Sequence, residues 1–96
     1  MLNGGPSASA IEFGKDNAVR VKLPCNTAGG GYVATLRSKA GGDLRFEGFR
    51  VTRSICPEIA AERAVLAQLG RVRSYAIDGG KLVLSLDGGG TMTWGD

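Results

Sequence analysis

Cys56-Pro57-Glu58-Ile59-Ala60-Ala61-Glu62-Arg63-Ala64-Val65-Leu66-Ala67-Gln68-Leu69-Gly70 decides the fold, because it is the one stretch that reads as a helix. From Glu58 to Leu69 it carries helix formers, with neither an internal glycine nor a cluster of β-branched residues. Pro57 suits the first helical position, Glu58 favours the positive end of the helix dipole, and Gly70 supplies the stop. Ala61, Val65, Leu66 and Leu69 recur at helical spacing, whereas Glu62, Arg63 and Gln68 occupy other directions. The expectation is a single main helix, from about Pro57 to Leu69, lying with one face on a sheet.

Outward from the helix, both flanks read as strands. On the C-terminal side Val72 to Ile77, Leu82 to Leu86 and Thr91 to Trp94 are joined by Asp78-Gly79-Gly80 and Asp87-Gly88-Gly89-Gly90, two hairpin signals. On the N-terminal side a run from Ser9 to Phe13 is closed by Gly14-Lys15-Asp16-Asn17. Then Val19, Val21 and Leu23 alternate with Arg20 and Lys22, a period of two with one face buried. Pro24 stops that strand. Cys25 to Gly31 reads as a loop whose glycines serve turns, Tyr32 to Leu36 resumes an extended run, and Lys39-Ala40-Gly41-Gly42 turns the chain again. Leu44 to Arg53 continues as strand past a bend at Gly48, and the sheet reaches Cys56. Strands, one helix, strands: this order lacks the repeated β-α alternation of a parallel sheet. It points to an α+β fold, an antiparallel sheet or partly open small barrel packed against one helix.

Composition narrows the function classes. A chain of 96 residues supports one domain, residues 1–96, and 43% hydrophobic with 22% charged residues is a globular balance in which only the sixteen glycines stand out. The net charge of +3 is modest and its basic residues are dispersed, unlike a nucleic-acid-binding arm. No run approaches the ~18 apolar residues that cross a bilayer. Met1-Leu2-Asn3-Gly4-Gly5-Pro6 has neither the basic start nor the apolar stretch of a signal peptide. The chain has no histidine, which removes Ser-His-Asp and Cys-His catalysis, Cys/His zinc sites and the commonest general base. Its nine carboxylates show no paired motif, and Gly29-Gly30-Gly31 lacks the Lys-Ser/Thr and following helix of a phosphate loop.

The residues Pro24-Cys25-Asn26 through Gly31-Tyr32, then Thr52-Arg53-Ser54-Ile55-Cys56-Pro57, then Glu62 with Leu66 and Leu69, then Val72-Arg73-Ser74-Tyr75-Ala76-Ile77 and Leu82-Val83-Leu84 resemble the META/HslJ-like domain family. The matching family pattern is a Gly-Cys-Asn loop leading to Gly-x-Tyr, a Thr-x-x-x-Cys-Pro segment, a helix with an early Glu, and a Tyr-x-Ile hairpin. The resemblance covers roughly Ile11 to Trp94. It implies a small α+β domain, usually exported or lipid-anchored in bacteria, found in heat-inducible and envelope-associated proteins, with no established catalytic residues. Its motif positions here are Asn26, Gly31, Tyr32, Thr52, Pro57, Glu62 and Tyr75. Two departures stand out: Pro24 replaces a usual glycine, and the family's opening Trp-containing strand has no counterpart in Leu2-Asn3-Gly4-Gly5-Pro6.

Cys25 and Cys56 both fall in the family's cysteine motifs, and the resemblance implies a disulfide between them. The alternative is two buried thiols packed as small hydrophobes. Phe13, Phe46, Tyr75 and Trp94 read as core by alternation. The expected function is a non-catalytic, extracytoplasmic, stress- or envelope-associated binding module. It would engage a protein segment or an apolar ligand on its sheet or barrel mouth, with no cofactor and no metal. Arg20, Lys22, Arg37, Arg45, Arg50 and Arg53, read as a solvated face, would under the alternative form the surface of a small nucleic-acid-binding domain. An edge left open by a missing first strand would let a second copy pair there as a homodimer.

Overall fold

The computed structural model describes residues 2–95. Seven strands form one antiparallel meander, each hydrogen-bonded to its neighbours in chain order: β1 (Ala10–Phe13), β2 (Ala18–Lys22), β3 (Thr27–Ser38), β4 (Gly41–Val51), β5 (Val72–Asp78), β6 (Lys81–Leu86) and β7 (Thr91–Trp94). One helix, α1 (Ile59–Leu69), interrupts the series between β4 and β5. The sheet curls into a half-barrel, so the fold is α+β. Its turns follow from local chemistry. Gly79 and Gly80 both take positive φ (58° and 81°), the backbone a two-residue hairpin turn between twisted strands requires.

Period-two alternation fixes which side chains face inward. Ile11, Val19, Val21, Leu23 and Ala28 from the first three strands meet Leu82, Leu84, Leu86, Met92 and Trp94 from the last two, with Leu44 and Val72 between them. From α1, Val65 and Leu69 complete this core. Trp94 is fully buried; its indole N–H donates to the Ser9 hydroxyl at 3.2 Å, and a Cβ on Gly5 would lie inside its ring. The N-terminal segment therefore packs on the last strand. Leu2 exchanges both main-chain hydrogen bonds with Ile11 of β1 (2.8 Å each), and the Asn3 carbonyl accepts from Gly95 N–H at 2.7 Å. Leu2 and Asn3 thus touch both ends of the meander before the chain enters a 3-10 turn at Pro6–Ala8.

Several elements differ from the sequence reading. Gly29-Gly30-Gly31 is part of β3, and no loop forms there. The register shifts between Gly29 and Gly31, opposite Gly48 with φ 68°, and a Cβ on Gly30 would approach the Glu47 carbonyl to 2.8 Å. These glycines permit close backbone approach at a bulge, the strand use of glycine that competes with turns. The sheet ends at Val51, short of Cys56, and α1 starts at Ile59 because Pro57 and Glu58 form a turn in which Ile59 N–H reaches the Cys56 carbonyl (3.1 Å). Phe13, Phe46 and Tyr75 are only partly buried, and so is Leu66. The largest correction concerns Glu62: it does not face solvent but is buried alongside Val65 and Leu69.

Leu69→Ala empties a fully buried site and is expected to cost ~2–5 kcal/mol in urea denaturation, whereas Leu66→Ala costs less because its side chain is half-exposed. Equal losses at both positions would contradict this placement of α1.

Candidate functional site

Glu62 shows how the helix is attached. It is 1% exposed, and burial of an ionised carboxylate is unfavourable unless donors replace its water. Here three do: the main-chain N–H of Cys25, the main-chain N–H of Asn26 at 2.9 Å, and the Asn26 side-chain amide at 2.8 Å. The same Asn26 amide donates to the Ser54 carbonyl (3.0 Å), while its oxygen accepts from Ser54 N–H (2.7 Å) and the Thr52 hydroxyl (2.9 Å). Both donors and both acceptor positions of the side chain are used. With respect to Ser54 it takes the place a peptide group of a neighbouring strand would occupy. Thr52 adds a further tie, its hydroxyl accepting Thr27 N–H at 3.0 Å. The loop after β2, the segment after β4 and the first turns of α1 are thus held by one polar knot whose centre, Asn26 and Glu62, is buried.

Cys25 and Cys56 are joined in a disulfide beside this knot, with Cα atoms 6.4 Å apart. The two sulfurs and a Glu62 carboxylate oxygen lie within 4.8 Å of one another, a spacing that also suits a metal. The chemistry does not: the thiols are consumed in the bond, and the carboxylate already accepts three N–H groups. Burial works to raise the Glu62 pKa, but donation from the Asn26 side chain and from the main-chain N–H groups of Cys25 and Asn26 outweighs it. The carboxyl therefore titrates below its ordinary value of 4.5.

A second feature lies at the start of β4. Leu2, Phe13, Tyr32, Ala34, Leu44, Tyr75, Ile77 and Leu82 line an apolar hollow of about 280 Å³ on the concave side of the sheet. Its aromatic wall is ordered: Phe13 meets Tyr32 edge-on at 5.0 Å between ring centroids and stacks on Phe46 at 6.1 Å. Ile77 is 51% exposed although register places it opposite Leu82, and Leu36, opposite Gly42, is 70% exposed. The concave apolar face is uncovered at this end of the half-barrel.

The sequence profile of the META domain matches residues 3–95. The chain belongs to the META domain family. No curated protein matches it. Two solved structures share the fold of this META domain. The NMR structure of a protein from Burkholderia xenovorans superposes with a TM-score of 0.73 at 22% identity, over 93% of this chain and 63% of that one. A crystal structure of a DUF4847 family protein from Bacteroides vulgatus gives 0.63 at 16% identity, over 90% and 56%. The META domain described here therefore spans less than two thirds of either neighbour's length.

Within the META domain the motif residues separate into two places. Asn26, Thr52 and Glu62 meet with the disulfide in the knot, while Tyr32 and Tyr75 belong to the hollow. Gly31 lies in β3 opposite Glu47, and Pro57 is an exposed turn residue before α1; neither joins a cluster. Sequence reasoning missed Ser54 in the knot, whose part is played by main-chain atoms that leave no side-chain signal. It also missed Ala34, Leu44, Ile77 and Leu82 in the hollow, where inward alternation gave the only clue. The basic residues Arg20, Lys22, Arg37, Arg45, Arg50 and Arg53 are all exposed. Arg37 pairs with Asp43 at 2.7 Å and Arg45 with Glu47 at 4.0 Å. Alternation sets Arg20, Lys22, Arg37 and Arg45 on the convex side and the aromatic residues on the concave side, while Arg50 and Arg53 lie beside Phe49 near α1.

The Glu62 contribution has a definite sign. Its folded pKa is depressed, so it stabilises the fold above the unfolded value of about 4.5 and is lost as pH falls through the folded pKa. Glu62→Gln is expected to flatten the acid limb of stability below that pH, measured by urea denaturation at stepped pH; an unchanged limb would contradict the assignment. Replacing both cysteines by serine opens a loop of sequence separation 31 and should remove roughly 3–4 kcal/mol on chain-entropy grounds.

Proposed function

We propose that this META domain is a non-catalytic binding module of an exported, envelope- or stress-associated protein, and that its concave hollow holds an apolar group. The hollow itself carries the reading. At about 280 Å³ it lies just below the usual range of small-molecule pockets, so it suits an alkyl chain or one apolar side chain of a protein segment more than a bulky ligand. Tyr32 and Tyr75 are the lining residues with a polar side-chain group, a composition that suits an amphiphile. The disulfide supports an oxidising, extracytoplasmic location, where such bonds persist. The binding reading is also supported by the use of Glu62: the buried carboxylate of the motif is engaged by three N–H groups of Asn26 and Cys25.

Titration with n-decanol, followed in methyl-resolved NMR spectra, tests the hollow. Saturable shifts are expected at Leu2, Leu44, Ile77 and Leu82. Ile77→Glu, at a position too exposed to matter for the core, should weaken binding about tenfold or more by placing a charge against the alkyl chain. Shifts spread over the whole surface, or none, would contradict the reading. Fractionation of cells that express the gene tests the location: recovery in the cytoplasm would oppose it.

A further inference from the structure

The far end of β4 presents a different surface. Its pairing with β5 is confined to Gly41↔Ala76, Gly42↔Tyr75 and Asp43↔Ser74, after which the two strands diverge. Beyond that point β4 has β3 on one side and, among the described residues, no strand on the other. Past Val51 the chain stays extended: Thr52 N–H donates to the Thr27 carbonyl at 3.1 Å, and Ser54 is bound through both main-chain groups by the Asn26 side chain. Main-chain groups alternate in direction along a strand, so those of Val51, Arg53 and Ile55 point the other way. Arg53 and Ile55 make no main-chain hydrogen bond among the described residues. An unpaired edge of this kind is a template for another strand.

Beside this edge runs a groove of about 850 Å³ between the end of β4 and α1. Phe49, Val51, Ile59 and Leu66 give it an apolar floor, and Arg50, Arg53 and Arg63 line it as well. None of the three arginines has an ion pair among the described residues. Among the described residues the one carboxylate lining the groove is Glu62, which already accepts three N–H groups. Ile55, at 93% exposure, stands on the edge with no apolar neighbour to cover it.

We infer that this groove receives an extended, acidic protein segment, which adds as a strand along residues 51–55, sets apolar side chains on the floor and places its carboxylates against Arg50, Arg53 and Arg63 around it. Main-chain bonds supply affinity in this mode, and side chains supply selectivity. A second copy of the chain fits less well, because it carries the same basic rim and a net charge of +3. An anionic lipid would use the arginines and the floor but leave the strand edge unpaired. The site shares no residue with the apolar hollow, which lies toward the start of β4, so it stands independently of the function proposed above.

The test uses a fluorescein-labelled synthetic peptide composed of valine and glutamate, its counterpart with lysine in place of glutamate, and vesicles of phosphatidylglycerol. Binding is read by anisotropy, and the site by amide hydrogen exchange of the disulfide-bonded domain. The acidic peptide is expected to bind and to slow exchange at Arg53 and Ile55. Reversing the three arginines to glutamate should weaken it at least about tenfold by turning attraction into repulsion. Ile55→Pro removes an N–H that has no partner in the fold, so it spares the structure while weakening the peptide several-fold through loss of a main-chain bond. Equal binding of the lysine peptide, no protection at Arg53 and Ile55, retention on vesicles in place of the peptide, or self-association that fills the edge would each overturn the inference. Circular dichroism of each variant, matching the parent, confirms that a loss reflects the groove.

Discussion

The carboxylate of Glu62 is the constraint on which the rest of the molecule depends. A helix inserted between β4 and β5 has little to hold it in place, because its apolar stripe is short: Val65 and Leu69 are buried, and Leu66 is half-exposed. The carboxylate converts that weak docking into a directional one. It takes the main-chain N–H groups at Cys25 and Asn26, which are left without strand partners as the chain leaves β2, and Asn26 in turn holds Ser54 and Thr52. A buried polar cluster is favourable only when every member is satisfied, and no buried side-chain polar atom among the described residues lacks a partner. The disulfide acts on the same two loops through the unfolded state, which it restricts, so the two devices reinforce each other by different physics.

This arrangement explains what the sequence could and could not reveal. The strands and their turns were legible because alternation and Gly-Gly pairs are local signals: Val19 and Val21, or Leu82, Leu84 and Leu86, declare their buried face without reference to the rest of the chain. The family resemblance likewise marked Asn26, Thr52 and Glu62. Their geometry was not legible, since helical periodicity assigns a charged residue to the solvent side and the donors that reverse this for Glu62 are 36 and 37 residues away. Gly29-Gly30-Gly31 was misread for a related reason. Glycine signals either a turn or a close approach of two strands, and only the position of Glu47 and Phe49 across the sheet distinguishes them.

The half-barrel also has an asymmetry with functional weight. Where the helix sits, the concave side is filled by Val65, Leu69 and the knot; at the other end Leu36 and Ile77 are exposed. A row of aromatic rings, Tyr32, Phe13, Phe46 and Phe49, runs between the hollow and the groove beside α1, with successive centroids 5.0, 6.1 and 5.6 Å apart. The motif residues of the knot thus serve architecture; Asn26, Thr52 and Glu62 also border the groove, whereas the hollow lies apart from them.

That division between architecture and binding is the central claim, and Asn26→Ala tests it most directly. The variant removes the side chain that joins Glu62, Thr52 and Ser54, so the account predicts a clear loss of stability in urea denaturation together with an unchanged affinity of the folded fraction for n-decanol, both measured on the same sample. Unchanged stability with lost affinity would contradict it, and would place the knot residues in the binding site itself.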